Sequence, residues 1–478
     1  MLYVLYAVLA ILIVFIILVA VRTALFVPKK AVTPVETEVV FDREKAVKNL
    51  QELLKCKTVS YHDSSLEDDA EFEKLKALLP KLYPNVVSNC SLKEFEGRAL
   101  LFHWKGKKSE SPVVLMSHYD VVPVDEEGWD KPAFEGIIED GILWGRGVID
   151  TKATFNAALT AADTLIADGF VPENDLYLAF SGGEEVNGIG AIKIVDWFEE
   201  NGIEPELVLD EGGAVVEGVF PGVKAPCGLI GIAEKGMINL EYSCKSSGGH
   251  ASAPKPHTPV GIVSKACCRV ERHPFKYHVS APVREMFDTL GRHSNLLYKI
   301  IFANLWCFGW AIDLLGKMSG GDINALIRTT VAFTQASASP APNVIPPEAK
   351  LVSNSRINPG ETVDSAEEYI RKAVNDPSVE VTRLAGINPS RISRTDCVGY
   401  ERVACAVAST WKGCIVSPYL MVQCSDSRYY GRISDRVYRF SAMDMTTEER
   451  RTVHGHNEHI RIEAIERSVE FYIRLIKG

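Results

Sequence analysis

The sequence predicts an α/β sheet domain with an inserted ferredoxin-like α+β domain, and three observations carry that expectation. Short apolar runs alternate with helical patterns between residues 112 and 210, the signature of an α/β sheet with helices on both faces. A β-α-β-β-α-β order follows between residues 236 and 384, which is the split βαβ arrangement. The first pattern returns after about residue 386, so one domain interrupts the other. With 478 residues, 46% hydrophobic and 24% charged, the chain can build more than one core.

Taken in order, Leu2 to Val21 form an unbroken apolar run closed by Arg22. A helix crossing a bilayer needs about 20 such residues. No Lys or Arg precedes the run and no A-x-A site follows it, which favours an uncleaved anchor over a signal peptide. Arg22, Lys29 and Lys30 follow the span and by the positive-inside rule put the body in the cytoplasm. The sequon Asn89-Cys90-Ser91 points to the secretory lumen instead. Residues 31–42 read as a linker, and 43–56 as a helix with Val47, Leu50, Leu53 and Leu54 at helical spacing.

Next come the apolar runs PVVLM (112–116), GILWG (141–145), DLYLAF (175–180) and ELVLD (206–210), with helices over 152–168 and 188–200 between them. The interrupting pattern has strands at 236–245, 329–336, 349–357 and 379–384 and helices near 258–271 and 364–375. Strands near 415–423 and 436–441 and a helix over 460–476 complete the first domain. The expected division is therefore 1–30 as the N-terminal segment, 31–236 and 386–478 as one domain, and 237–385 as the insertion. Residues 295–316 are strongly apolar and aromatic, broken only by Lys299 and Asp313. A buried helical hairpin of the insertion is the expectation there, with a surface for a membrane or an apolar substrate as the alternative.

A net charge of −10 without basic blocks argues against a nucleic-acid partner. Eleven cysteines without a CxxC do not make a disulfide scaffold. The polar signal lies elsewhere, at the ends of the expected strands. His118 and Asp120 end the first and point to one face, since residues i and i+2 of a strand do so. Asp150, Glu184, Glu185 and Asp210 beside Glu211 end further segments, and His454 and His456 come late in the chain. Ligands of open α/β sheets bind outside the carboxyl ends of the strands. Singly, each acid could be solvated or cap a helix. Together, imidazoles with more carboxylates than one zinc needs suit two divalent ions sharing a bridging carboxylate.

The segments SHYDVVPV, GRGVIDTK, GGEEVNG, LVLDEGG, SSGGHASAP, PNVIP, NSRINPGET and HGHNE together resemble the co-catalytic di-zinc aminoacylase/carboxypeptidase metallopeptidase family. The carboxypeptidase S-like branch, which includes N-fatty-acyl-amino acid synthase/hydrolase, is the most similar. The resemblance covers nearly all of residues 43–478. It implies a zinc-peptidase α/β sheet domain with an inserted lid or dimerisation domain, and two Zn2+ per subunit. It implies His118 and Asp210 on one zinc, Asp150 as the bridging carboxylate, and Glu185 and His454 on the other zinc. Glu211 is the substitute for Asp210, because family members differ in which acid of this stretch they use. Asp120 is implied to orient the ligand His118, and Glu184 to act as general base.

His250 is implied to donate to the tetrahedral oxyanion, in dimeric relatives across to the partner subunit, so a homodimer is among the implied partners. Asn343 and Arg356 are implied to hold the substrate's free carboxylate, a task the planar guanidinium suits. With groups split over two domains, closure is expected. The resemblance also implies a cis peptide between Asp150 and Thr151. Gln423 to Arg428 depart from the glycine-rich G-G/N-T-D-x-R of many relatives, which leaves substrate contacts there open. The implied activity is hydrolysis of the amide next to a free carboxylate, in a short peptide or an N-acyl amino acid. The alternative is an inactive, membrane-tethered binding protein. The implied location is single-pass anchoring in the secretory pathway, vacuole or lysosome, or outside the cell, with secretion if the first segment is cleaved.

Overall fold

The computed structural model describes residues 1–478 apart from the side chain of Ser319. Its main sheet has eight strands in the spatial order Ser91–Phe95, Ala99–Trp104, Asn174–Ser181, Lys108–His118, Leu207–Val216, Val437–Met445, Cys227–Glu234 and Ile415–Met421. The strand ending at His118 runs parallel to both Asn174–Ser181 and Leu207–Val216, and its last residue pairs with Ser181. Three carboxyl ends thus meet at one edge, where such sheets bind ligands.

Successive residues face opposite sides of the sheet, and two cores form accordingly. Leu115, Leu178 and Leu209 pack with Ala158, Val403 and Phe471 of the covering helices. Val114, Met116 and Val208 pack with Ile194, Phe198 and Tyr430 on the other side. Helix Lys152–Ala167 is buried over nearly its whole length, because the terminal helix Ile462–Lys477 and helix Arg43–Leu54 pack against it.

Three features differ from expectation. Strands Ser91–Phe95 and Ala99–Trp104 were not foreseen and extend the sheet antiparallel at one edge. Strand Cys227–Glu234 was not foreseen; its small and apolar residues carry no alternation to read. The GILWG run does not join the main sheet. It forms strand Ile142–Trp144 in a three-stranded sheet with Ile137–Glu139 and His459–Arg461, because glycines at 141 and 145 bound it to three residues. That small sheet draws the HGHNE segment to the side of Asp150.

The inserted sheet is antiparallel, in the order Thr330–Ser337, Glu348–Ile357, Gly236–Lys245 and Glu380–Ile387. Ile238, Leu240 and Tyr242 alternate toward helices Pro259–Arg272 and Val363–Val374, whose Ala266, Val270 and Ile370 complete a separate core. The four helices between 281 and 327 do not pack there. Val283, Met286, Phe287 and Phe302 join Val216, Phe220, Leu229 and Leu420 at the far edge of the main sheet.

The hairpin of Leu296–Ala303 and Leu305–Ser319 is not the buried element expected. Among its large apolar side chains Phe302 and Ile312 are buried, while Leu296, Leu297, Trp306, Trp310, Leu314 and Met318 are exposed. An apolar run has the same composition whether protein or another apolar medium covers it. The N-terminal helix Leu2–Leu25 is 24 residues long, and its apolar stretch is unburied. It is long and apolar enough to cross a membrane.

Candidate metal centre

Asp150 lies between two imidazoles. Its Oδ1 is 3.0 Å from His118 Nε2, and its Oδ2 is 3.0 Å from His454 Nε2. Glu211 Oε1 approaches His118 Nε2 to 3.3 Å on one side, and Glu185 Oε2 approaches His454 Nε2 to 3.2 Å on the other. Donor atoms of His118, Asp150 and Glu185 lie within 4.8 Å of one another, as do those of His118, Glu184 and Glu211. The structure therefore brings together His118, Asp150, Glu184, Glu185 and His454 of the expected set, and adds Glu211.

Asp210 is the exception. Neighbouring strand residues face opposite sides, so only one acid of the pair can reach His118. Asp210 turns away, and its Oδ2 accepts the Ser427 amide at 2.9 Å. At this strand end the structure sets Glu211, the substitute, and not Asp210 beside His118. Asp120 is fully buried behind the cluster. His118 Nδ1 is 3.0 Å from the Asp120 carbonyl oxygen and 3.4 Å from its carboxylate. The carboxylate also accepts the amides of Glu184 and Glu185, at 3.1 and 3.2 Å. One side chain aligns both the imidazole and the two glutamates.

The electrostatics call for cations. Burial, then the nearby Glu211, Asp426 and Glu185, pushes Glu184 well above the usual carboxylate range, against the pull of His118. Burial and Asp150 push Glu211 up in the same way. Burial would raise Asp150 too, but hydrogen bonds with His118 and His454 hold it well below its ordinary value. Hydrogen bonds with Asp150 and Glu185 raise His454 to about 10. Glu185 Oε1 is buried without a hydrogen-bond partner among the described residues, which is costly for a carboxylate oxygen unless something else binds it. A mixed imidazole and carboxylate donor set of this kind fits zinc. The chain thus carries a metal-binding group of side chains.

Two supporting residues escaped sequence reasoning. Glu458 is fully buried. Its Oε1 accepts the amides of Ile149 and Asp150, and its Oε2 accepts the Gly147 amide and Arg146 Nη1. It fixes the loop that presents Asp150, whose peptide bond to Thr151 is cis. The HGHNE motif contained this residue, but its partners lie some 310 positions away. Glu234 is the second. It binds Arg428, Arg439, Ser425 and Ser427, and so shapes the loop that engages Asp210.

His250 and Asn343 come together on a two-residue bridge of the inserted domain. His250 pairs with Val344, and the Ala251 amide donates to the Asn343 carbonyl. Both residues are exposed, and neither touches the metal-binding group through a hydrogen bond or ion pair among the described residues. Arg356 reaches the main domain, with Nη1 3.2 Å from Cys424 Sγ in the departing Gln423–Arg428 loop.

Residues 114–478 match the description peptidase family M20/M25/M40. The chain is 32% identical over 433 residues to a probable carboxypeptidase S-like 2 of Dictyostelium discoideum, covering 88% of this chain and 82% of that one. It is 33% identical over 428 residues to N-fatty-acyl-amino acid synthase/hydrolase PM20D1 of Homo sapiens, covering 88% and 84%. Among solved structures, the M20 family metallo-carboxypeptidase Sso-CP2 of Sulfolobus solfataricus superposes with a TM-score of 0.68 at 17% identity, covering 90% of this chain and 98% of that one.

Proposed function

The chain belongs to peptidase family M20/M25/M40 and is a metal-dependent hydrolase, and from that premise we propose a di-zinc amidohydrolase that cleaves the amide next to a free carboxylate. The observation that carries this is the placement of Asp150, one oxygen toward each imidazole, with Glu184 beside the group. His118, Asp150 and Glu211 would hold one zinc ion, and His454, Asp150 and Glu185 the other. Bound there, the ions supply Lewis acidity toward the scissile carbonyl and lower the pKa of water.

The chain's own groups do the rest. Glu184 takes a proton from the attacking water and passes it to the departing amine nitrogen. Its burial raises its affinity for a proton, which suits the step in which it takes one from water. His250 donates to the oxyanion, and Arg356 with Asn343 holds the substrate carboxylate. Closure of the inserted domain carries His250 and Asn343 to the centre. Arg356, already against the Gln423–Arg428 loop, marks the side on which the carboxylate sits. We take an N-acyl amino acid with a long chain as the substrate; the relatives' names favour it. The Leu2–Leu25 helix serves as a single-pass anchor.

The test measures hydrolysis of N-oleoyl-phenylalanine and of Gly-Leu, with and without 1,10-phenanthroline. The acyl substrate is expected to turn over faster, and chelator to abolish both activities. Turnover that ignores the chelator excludes the metal mechanism. Glu184→Gln is expected to lower kcat by about 10²- to 10⁴-fold with metal content unchanged.

A further inference from the structure

We propose that the hairpin of residues 296–318 is a second membrane element, embedded in the leaflet that the N-terminal helix enters; it rests on the reading of Leu2–Leu25 as an anchor.

The hairpin is fixed to that helix. Arg22 Nη2 donates to the Ala303 carbonyl at 3.1 Å. Asn304, at the bend, donates to Thr23 Oγ1 at 3.1 Å and to the Ile300 carbonyl at 3.0 Å. Trp306 packs edge-on against Phe15, with ring centroids 5.8 Å apart. Phe15 lies seven positions before Arg22, which is roughly 10 Å along a helix rising 1.5 Å per residue. Any position that places Phe15 in hydrocarbon therefore places Trp306 there too. That depth matches the roughly 5–10 Å at which interfacial helices sit.

The hairpin does not itself cross. Its helices have 8 and 15 residues and meet at a 118° bend. They are about 12 and 22 Å long at 1.5 Å per residue, short of the roughly 30 Å hydrocarbon core. Both ends return to the same body. Helix Ala281–Gly291 before it buries Val283, Met286 and Phe287, and helix Gly321–Ile327 after it buries Leu326 and Ile327. The chain goes in and comes back on one side.

Its surface suits lipid rather than water. Leu296, Trp310 and Met318 are 69, 62 and 76% exposed. Apolar surface left in water costs about 25 cal/mol per Å², and Trp favours the membrane interface. Of its charges, Asp313 is held to the body by Arg328, while Lys317, which also pairs with Asp313, stays half-exposed and Lys299 partly exposed, as long basic side chains that reach toward headgroups do. Asn304 Nδ2 donates to backbone and hydroxyl acceptors, while its Oδ1 is buried without a hydrogen-bond partner among the described residues. Continuity with the spanning helix commits the face to a bilayer rather than to a second copy.

The test reconstitutes the full chain in phosphatidylcholine vesicles whose acyl chains are brominated near the headgroup end. The chain has 7 Trp. Bromine is expected to remove up to two sevenths of the emission, and the W306F/W310F variant to lose that share while its Gly-Leu hydrolysis is unchanged. Retention after alkaline carbonate extraction with equal bromine quenching in both proteins overturns the hairpin proposal alone. So does iodide in the water quenching the two tryptophans, the result expected of an aqueous face or a partly covered protein contact. Release by carbonate overturns the anchor and the proposal with it.

Discussion

Asp210 and Glu211 are neighbours of like chemistry on opposite faces of one strand, and the face turned toward His118 decides which acid stands beside it. The sequence offered both, because motif spacing does not record which face of a strand the site occupies. Three-dimensional register does: the Ser427 amide takes Asp210, and His118 faces Glu211. Glu211→Gln is expected to weaken metal binding by more than the roughly 10- to 100-fold lost when an outer partner of a ligand is removed. Asp210→Asn should keep nearly wild-type affinity, since an amide oxygen still accepts from Ser427. Competition titration against a chelator of known affinity checks both. The reverse order would restore Asp210 as the ligand. The remaining members of the group were legible because each ends a segment with a recognisable motif, and because an acid and an imidazole have few reasons to share a buried edge.

At the scale of elements, the loop Gly145–Asp150 stays in place through one carboxylate from the other end of the chain. Glu458 accepts three amides and the Arg146 guanidinium, both acid and base being almost wholly buried. Glu458→Gln leaves that guanidinium without its counter-charge. Breaking a buried pair in this way costs about 3–5 kcal/mol, and chemical denaturation should register a loss of that size. Metal affinity should fall with it, as Asp150 loses its fixed position. Alternating apolar patterns made the strands of the inserted sheet readable, because Ile238, Leu240 and Tyr242 face one core and their neighbours do not. The small sheet around Ile142–Trp144 was not readable, as three residues carry too little periodicity. The hairpin at 296–318 was legible as apolar, but the direction it faces depends on the N-terminal helix packed against it.

Across the whole molecule, the proposed mechanism has two domains act on one substrate. Arg356 stands on the inserted sheet yet touches Cys424 of the main domain, so it already bridges the two domains, while His250 and Asn343 remain exposed. If Arg356 holds the substrate carboxylate, Arg356→Ala should raise KM by roughly 10- to 100-fold, the worth of a charge-assisted contact, with a smaller change in kcat. Steady-state kinetics on N-oleoyl-phenylalanine separates the two. An unchanged KM would remove Arg356 from the substrate. The placement of His454 and Glu458 near the end of the chain has a further effect during synthesis. His118, Asp150 and Glu211 emerge from the ribosome well before them, so a nascent or C-terminally clipped polypeptide can assemble only half of the centre. If His454 completes the second zinc site, hydrolytic competence is tied to translation passing Glu458, and fragments released earlier are expected to be inert.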